Sequence, residues 1–122
     1  MIRKGIYLIQ DVLSQRVSSN RVNNKSRKDF DGDLIKMNSQ RYECFDKKGT
    51  KCVTCGIEGK FFAKERHKEN EVFHFNLYAV DKSGNEVLMT KDHIIAKSKG
   101  GANHINNYQT MCTRCNHKKS NK

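Results

Sequence analysis

The chain has 122 residues and a formal net charge of +11 at pH 7, and only 35% of its residues are hydrophobic. That length is typical of one domain, and no stretch approaches the roughly 20 apolar residues of a membrane-spanning helix. The first residues lack the apolar run of an export signal, so we expect a cytoplasmic protein without a membrane partner. The positive charge indicates a polyanionic partner, and nucleic acid is the first candidate.

Residues 1–50 are predicted to form a basic, helical extension. Residues 5–17 place Ile6, Ile9, Leu13 and Val17 at the spacing of an amphipathic helix. Residues 18–33 are mostly polar and are predicted to be a linker. The basic side chains of this linker either bind DNA or only keep the linker solvated. Residues 34–46 are predicted to form a second helix.

Residues 51–122 are predicted to form the second and functional part of the chain. Residues 72–80 are rich in aromatic and β-branched side chains, which favours a strand, and residues 86–95 favour a return strand after a turn at 81–85. A loop around Gly100-Gly101 and a short helix over 112–121 complete the prediction. The last 32 residues hold seven basic side chains against one acid, so this end is a concentrated basic zone.

Two C-x2-C pairs stand out, and they are formed by Cys52, Cys55, Cys112 and Cys115. Four thiolates are the ligand set of a tetrahedral structural Zn²⁺ site, and cysteine pairs in a reducing compartment bind metal more often than they form disulfides. The alternative is four small buried apolar side chains. Zinc would compensate for the small apolar content of the chain. Cys44 has no partner in this pattern and is predicted to be a buried thiol.

A second set of residues suits a harder metal ion. Asp92 and Asn116 offer the oxygen ligands that Mg²⁺ prefers, and His93 is a candidate general base. On a strand Asp92 and His93 point to opposite faces, so both reach one site only where the strand ends. On a helix that begins near Cys112, Asn116 and Lys119 lie on the same face as the two cysteines.

The sequence D-H-I-I, the Gly-Gly pair, N-x4-C and C-x2-C-N-x2-K together resemble the HNH endonuclease family of ββα-metal (His-Me finger) nucleases, over about residues 51–121. The aromatic-rich stretch before them is similar to small stand-alone HNH proteins of bacteriophages. The resemblance implies an α+β fold, with a ββα-metal nuclease core stapled by a four-cysteine zinc site and preceded by N-terminal helices. It also implies a phage-encoded protein that acts in a bacterial host.

The resemblance implies metal-dependent hydrolysis of DNA phosphodiester bonds. His93 would be the general base, Asp92 and Asn116 would hold Mg²⁺ or Mn²⁺, and Asn107 would orient the loop and the His93 backbone. His117 directly follows Asn116 and competes with it for the third position of the motif. Basic side chains beside such a site would either contact phosphates or form a solvated face; they are Lys97, Lys99, Arg114, Lys118 and Lys119.

Two other functions use much the same residues. A zinc-dependent nucleic-acid-binding module without catalysis needs the charge and the cysteines, but it needs no set such as Asp92, His93 and Asn116. An RNA-directed HNH nuclease needs all of them, since no base-reading motif separates DNA from RNA. Double-stranded DNA is the expected partner, and the sequence leaves the target site, nicking against double-strand cleavage, and the oligomeric state open.

Overall fold

The computed structural model describes residues 1–19 and 26–120, and it shows the expected mixed α+β fold. Five antiparallel strands form one sheet in the order β1-β4-β5-β6-β7, and β2 and β3 form a separate hairpin. None of the helices in the described residues is long and apolar enough to cross a membrane. The elements are β1 (Ile2–Tyr7), α1 (Ile9–Leu13), β2 (Arg27–Phe30), β3 (Asp33–Lys36), α2 (Gln40–Lys48), β4 (Gly59–Arg66), β5 (His74–Val80), β6 (Glu86–His93), β7 (Tyr108–Cys112) and α3 (Thr113–Ser120).

Helix α2 packs its aromatic face onto the sheet. Ser39 caps the helix, since its side chain accepts a hydrogen bond from the backbone N–H of Arg41 at 3.1 Å. Tyr42 and Phe45 each lie 6.2 Å, centroid to centroid, from the Phe62 ring of β4. Burying each such ring stabilises the fold by roughly 1.5–3 kcal/mol, so α2 is held firmly against the sheet.

The predicted helix over residues 5–17 is wrong in its first half. Residues 2–7 form β1, which pairs with β4, and only the five residues of α1 are helical. Ile9 and Val17 still pack against the core, but Ile6 is 60% exposed. The spacing therefore identified three partly buried positions, but it placed the exposed Ile6 among them and missed the fully buried Val12. Pairing with a sheet edge outweighed the weak propensity of so short a helix.

The polar linker over 18–33 and the helix over 34–46 also need correction. Within the described part of the linker, residues 27–30 form β2, whose partner β3 lies where the second helix was predicted to begin. The turn between them is Asp31-Gly32, with φ of 56° and 92°, which is the geometry that joins strands in a tight hairpin. That dipeptide signal was overlooked, and the helix begins only after Ser39. Residues 20–25 of the linker lie outside the described residues.

The second part of the chain follows the prediction more closely. β5, β6 and α3 lie within the predicted strands and helix, whereas β4 and β7 were not predicted. β6 pairs with β7, and α3 packs against both strands, so these three elements form the ββα unit of the fold. β1 and β4 are paired across the predicted boundary between residues 50 and 51, so the N-terminal segment also contributes a strand to the sheet.

A buried carboxylate ties three strands together. Glu65 is 2% exposed and accepts hydrogen bonds from Asn76 and Tyr78, both at 2.7 Å, and from Arg3 at 2.8 Å. Burial by itself raises the pKa of Glu65, but these donors outweigh it and hold the pKa below its ordinary value. The network joins β1, β4 and β5 and rigidifies the half of the sheet away from β7.

Candidate active site and metal centre

The two C-x2-C pairs meet in one cluster. The Sγ atoms of Cys52, Cys55, Cys112 and Cys115 all lie within 4.8 Å of one another. Zn–S bonds of about 2.3 Å give sulfur–sulfur edges of about 3.8 Å in a tetrahedron, and the Sγ atoms of Cys55 and Cys112 are 3.8 Å apart. The first pair lies in a turn after α2, and the second links the end of β7 to α3. The cluster therefore fits a structural Zn²⁺ that joins distant parts of the chain.

The electrostatics of the cluster also favour a cation. Burial raises the pKa of Cys52, but backbone N–H groups of Cys55, Cys112 and Thr54 outweigh it and lower the pKa to about 6. Burial and the neighbouring cysteines raise the pKa of Cys115 to about 12. Cys52 ionises readily, whereas burial and the neighbouring thiols raise the pKa of Cys112 and of Cys115, so a bound metal ion is what would favour the thiolate form of this set. Cys44 lies outside the cluster and is fully buried, as predicted.

A cleft of about 910 Å³ opens where β6 ends, and we call it the catalytic cleft. It is bounded by the end of β6, the loop that follows and the inner face of α3. Asp92, His93 and Asn116 all line it, as do Lys97, Lys99 and Lys119. Asp92 and His93 are neighbours on a strand and point to opposite faces, but because the strand ends there, both border the same opening.

Asp92 is 7% exposed and is already engaged with a cation. Its Oδ2 accepts hydrogen bonds from Gln109 at 2.9 Å and from the Lys119 ammonium at 2.7 Å. The same ammonium donates to the backbone oxygens of His93 at 2.8 Å and of Ile94 at 3.4 Å. A carboxylate and two carbonyl oxygens thus surround one positive charge, which is a donor set that a hard divalent cation also uses.

His93 is held from two sides at the end of β6. Its Nε2 lies 2.8 Å from Oδ1 of Asn103, and its ring meets the ring of Tyr108 edge to face at 5.1 Å. With the amide oxygen as acceptor, Nε2 carries the proton and Nδ1 is the basic nitrogen. The ring is therefore oriented by one hydrogen bond and one aromatic wall, which is the arrangement a general base needs.

Asn107 closes the loop after His93. Its side chain accepts from Ile95 N at 2.9 Å and donates to Ile95 O at 3.0 Å and to Ala102 O at 2.9 Å. Its backbone oxygen accepts from Ile94 N at 2.8 Å. A Cβ on Gly101 would lie 1.7 Å from the Ile95 oxygen, so only glycine fits this closure. Asn107 therefore sets the path of the backbone directly after His93.

The remaining predicted residues are placed less closely around Asp92. Asn116 projects from α3 into the cleft and donates a hydrogen bond to Thr90 Oγ1 at 3.0 Å. Lys97 and Lys99 are exposed on the loop, and Lys118 and His117 are exposed on α3. Arg114 forms an ion pair with Asp81 at 2.8 Å, and this hydrogen bond lowers the pKa of Asp81.

Sequence reasoning missed several partners of the predicted residues. Asn103, Gln109 and the lysine–carboxylate pair of Lys119 and Asp92 join positions that lie 10 to 27 residues apart. Gln40 of α2 accepts from Tyr108 OH at 2.7 Å and so supports the ring that flanks His93. Asparagine and glutamine in polar segments carry no spacing signal, so only the fold reveals these contacts.

Comparison with known proteins agrees with this geometry. Residues 81–122 match the family model described as HNH endonuclease. No curated protein and no solved structure gave a significant match. The matched residues contain β6, β7, α3, the catalytic cleft and the second cysteine pair. The resemblance to HNH endonucleases is therefore confirmed, and it is the segment with the cleft, residues 81–122, that carries it.

Proposed function

We propose that the chain is a metal-dependent HNH endonuclease that hydrolyses phosphodiester bonds of double-stranded DNA, with His93 as general base. The main support is the end of β6, where an oriented histidine and a buried carboxylate border one open cleft. The exposed lysines of the loop, Lys97 and Lys99, add positive charge at its rim. The formal charge of +11 supports a nucleic-acid substrate.

The chemical step follows from the orientation of His93. Nδ1 takes a proton from a water molecule, the water oxygen forms a bond to phosphorus, and the bond from phosphorus to the 3′ oxygen breaks. The leaving oxygen then takes a proton from solvent, which gives a 5′ phosphate and a 3′ hydroxyl. Asn103 keeps Nε2 protonated throughout, and Asn107 holds the backbone that carries the ring.

Asp92 and Asn116 would bind the divalent cation, Mg²⁺ or Mn²⁺. When bound, it would stabilise the negative charge that develops on the phosphate and on the leaving oxygen. The residues fit a hard cation, because the Lys119 ammonium already lies among oxygen donors at this point. Lys119 then acts as the counter-charge of Asp92 before the cation arrives, and it becomes available to a phosphate oxygen afterwards.

The wider setting follows the same proposal. Zn²⁺ at the four cysteines would hold α3 and β7 in place and would take no part in the reaction. Lys118 and Arg114 are exposed on α3 and contact the DNA backbone on that side. The similarity to stand-alone phage proteins supports a phage-encoded enzyme that works in the bacterial cytoplasm.

A plasmid assay tests the function directly. Supercoiled plasmid is incubated with the zinc-loaded chain and Mg²⁺, Mn²⁺ or EDTA, and the products are separated on a gel. We expect nicked or linear DNA with either cation and none with EDTA. Duplex DNA and single-stranded RNA of the same sequence are compared in parallel. If the RNA is cleaved faster, RNA rather than DNA is the substrate. If neither plasmid nor RNA is cut with any of the cations, the proposed nuclease function is wrong.

One observation favours the alternative of a non-catalytic binding module. The ion pair of Lys119 and Asp92 neutralises the carboxylate, and Asn116 bonds to Thr90 rather than to Asp92. A binding module would keep this arrangement permanently. The two functions differ in a direct measurement, since only the nuclease binds Mn²⁺ at Asp92 in addition to Zn²⁺ at the cysteines.

A further inference from the structure

A second cleft, of about 810 Å³, lies on the other side of the first turn of α2. We call it the basic cleft. It is formed by the β2–β3 hairpin, the start of α2, the end of β4 and the start of β5. Four basic side chains line it, namely Arg27, Lys36, Arg41 and Arg66.

The positive charge of the basic cleft is hardly compensated. Two acids line it, Asp33 and Glu71. Asp33 is already paired with Lys64 at 2.7 Å and with Lys4 at 3.0 Å, and these hydrogen bonds lower its pKa. Among the residues that the structure describes, none of the four basic side chains forms an ion pair. Four cations therefore share one uncommitted carboxylate.

Two of these cations are oriented by neutral groups. Arg41 donates to the Phe75 oxygen at 2.5 Å and to Asn76 Oδ1 at 3.2 Å. The Arg66 guanidinium stacks on the Phe73 ring at 4.4 Å. Its Nη1 donates to the Glu71 backbone oxygen at 3.4 Å, and its Nε is buried without a hydrogen-bond partner in the described chain. Stacking leaves the guanidinium its charge, and its remaining Nη–H groups can donate to an external acceptor. Planar forks held in this way suit phosphate oxygens.

The basic cleft and the catalytic cleft lie at the same end of the sheet. β5 runs antiparallel to both β4 and β6, so the end of β4, the start of β5 and the end of β6 coincide. The first residue of α2, Gln40, bonds to Lys91 and Tyr108 beside His93, while Arg41 lines the basic cleft. Basic side chains therefore line both clefts, and Gln40 and Arg41 at the start of α2 connect the two.

We propose that the basic cleft is a second binding site for a phosphodiester backbone, and that it holds the nucleic acid to one side of the bond cleaved at His93. The inference rests on the proposed nuclease function for the identity of the ligand. Binding there is independent of base sequence, because charges and guanidinium groups contact phosphates, which are the same at every position of the backbone. It lengthens the contact along the DNA without touching the reacting atoms.

The test is binding of a labelled duplex to the full zinc-loaded chain, measured by fluorescence anisotropy over a range of salt and without added Mg²⁺ or Mn²⁺. The variant R27A/K36A removes two exposed cations of the basic cleft. The control K60A/K82A removes two exposed cations from the opposite end of the sheet. Circular dichroism melts establish that all three proteins are folded alike.

We expect R27A/K36A to weaken binding roughly 10–100-fold at about 0.1 M salt and to make the log–log salt dependence shallower by about two units, since each phosphate contact contributes about 0.9. The control keeps the wild-type slope. The difference disappears as the duplex is shortened until it no longer spans both clefts. If R27A/K36A binds like the control at every length, the basic cleft is not a backbone site. If the protein never cleaves nucleic acid but shows this binding pattern, the proposed nuclease function is wrong and the proposed backbone site is still supported.

Discussion

The two candidate cation sites of this molecule are organised in opposite ways. The four-cysteine cluster is complete in itself, with its sulfurs within 4.8 Å and backbone N–H groups stabilising Cys52 as a thiolate. The site at Asp92 is open to a cleft, and its carboxylate is balanced by the movable side chain of Lys119. A closed set of soft ligands holds a structural ion, whereas an open oxygen site with a displaceable charge exchanges its ion and admits a substrate.

The largest effect is expected at the closed site. Cys52→Ser should lose the bound zinc and most of the folded structure, because apparent binding energies of structural zinc, about 10–16 kcal/mol, match the stability of a whole domain. Elemental analysis and thermal melts measure both. The matched control is Cys44→Ser, which removes a buried thiol outside the cluster and should keep one zinc per chain. If both variants bound the same amount of zinc per chain, Cys52 would not be a ligand and the four-cysteine zinc site would be wrong.

The next effect belongs to the open site. His93→Ala should lower the cleavage rate by about 10²–10⁴-fold, the usual contribution of a general base. Zinc content, thermal stability and DNA affinity should stay unchanged, since His93 binds no structural metal. His117→Ala, an exposed neighbour of Asn116, serves as the control and should cleave normally. A dead His117 variant with an active Asn116→Ala variant would move the metal ligand by one position.

The third prediction concerns Asn103, which is expected to position the His93 ring in the open site. Asn103→Ala should lower kcat by about 10–100-fold, as removal of a hydrogen-bond partner behind a catalytic imidazole does. Asn103→Asp keeps an acceptor for Nε2 and should recover most of the rate, with DNA affinity unchanged in both. In a His93→Ala background the Asn103 change should have no further effect. An additional loss there would show that Asn103 acts elsewhere.

The smallest effect concerns the displaceable charge. Lys119→Ala should tighten Mn²⁺ binding at Asp92 by about tenfold, or about 1.4 kcal/mol, because the competing ammonium is gone. Titration calorimetry of the zinc-loaded chain measures this without any substrate. Lys118→Ala removes an equal charge from the next position of α3 and should leave Mn²⁺ affinity unchanged. Unchanged affinity in Lys119→Ala would show that this ammonium does not compete for the site, and the absence of Mn²⁺ binding in both proteins would favour the binding module.

Motifs in the sequence predicted both candidate sites, because cysteine spacing and the D-H-I-I segment are local patterns. The mixed fold and the strand–turn–strand of β5 and β6 were also predictable from alternating aromatic and β-branched residues. β1 was not, since Ile6 and Ile9 have helical spacing and the partner strand β4 is about 60 residues away. Separation along the chain also hid the pairing of Lys119 with Asp92, which lie 27 residues apart and which no helical or strand period relates.

The closure made by Asn107 has a consequence for how such a protein changes its target. The three side-chain hydrogen bonds of Asn107 all go to backbone atoms, of Ile95 and Ala102, and none depends on the identity of a side chain. The loop tip between them, Lys97 to Lys99, is exposed and can be exchanged without disturbing the ring of His93. The sequence of this tip, which lines the cleft, can therefore change while the backbone directly after His93 keeps its path.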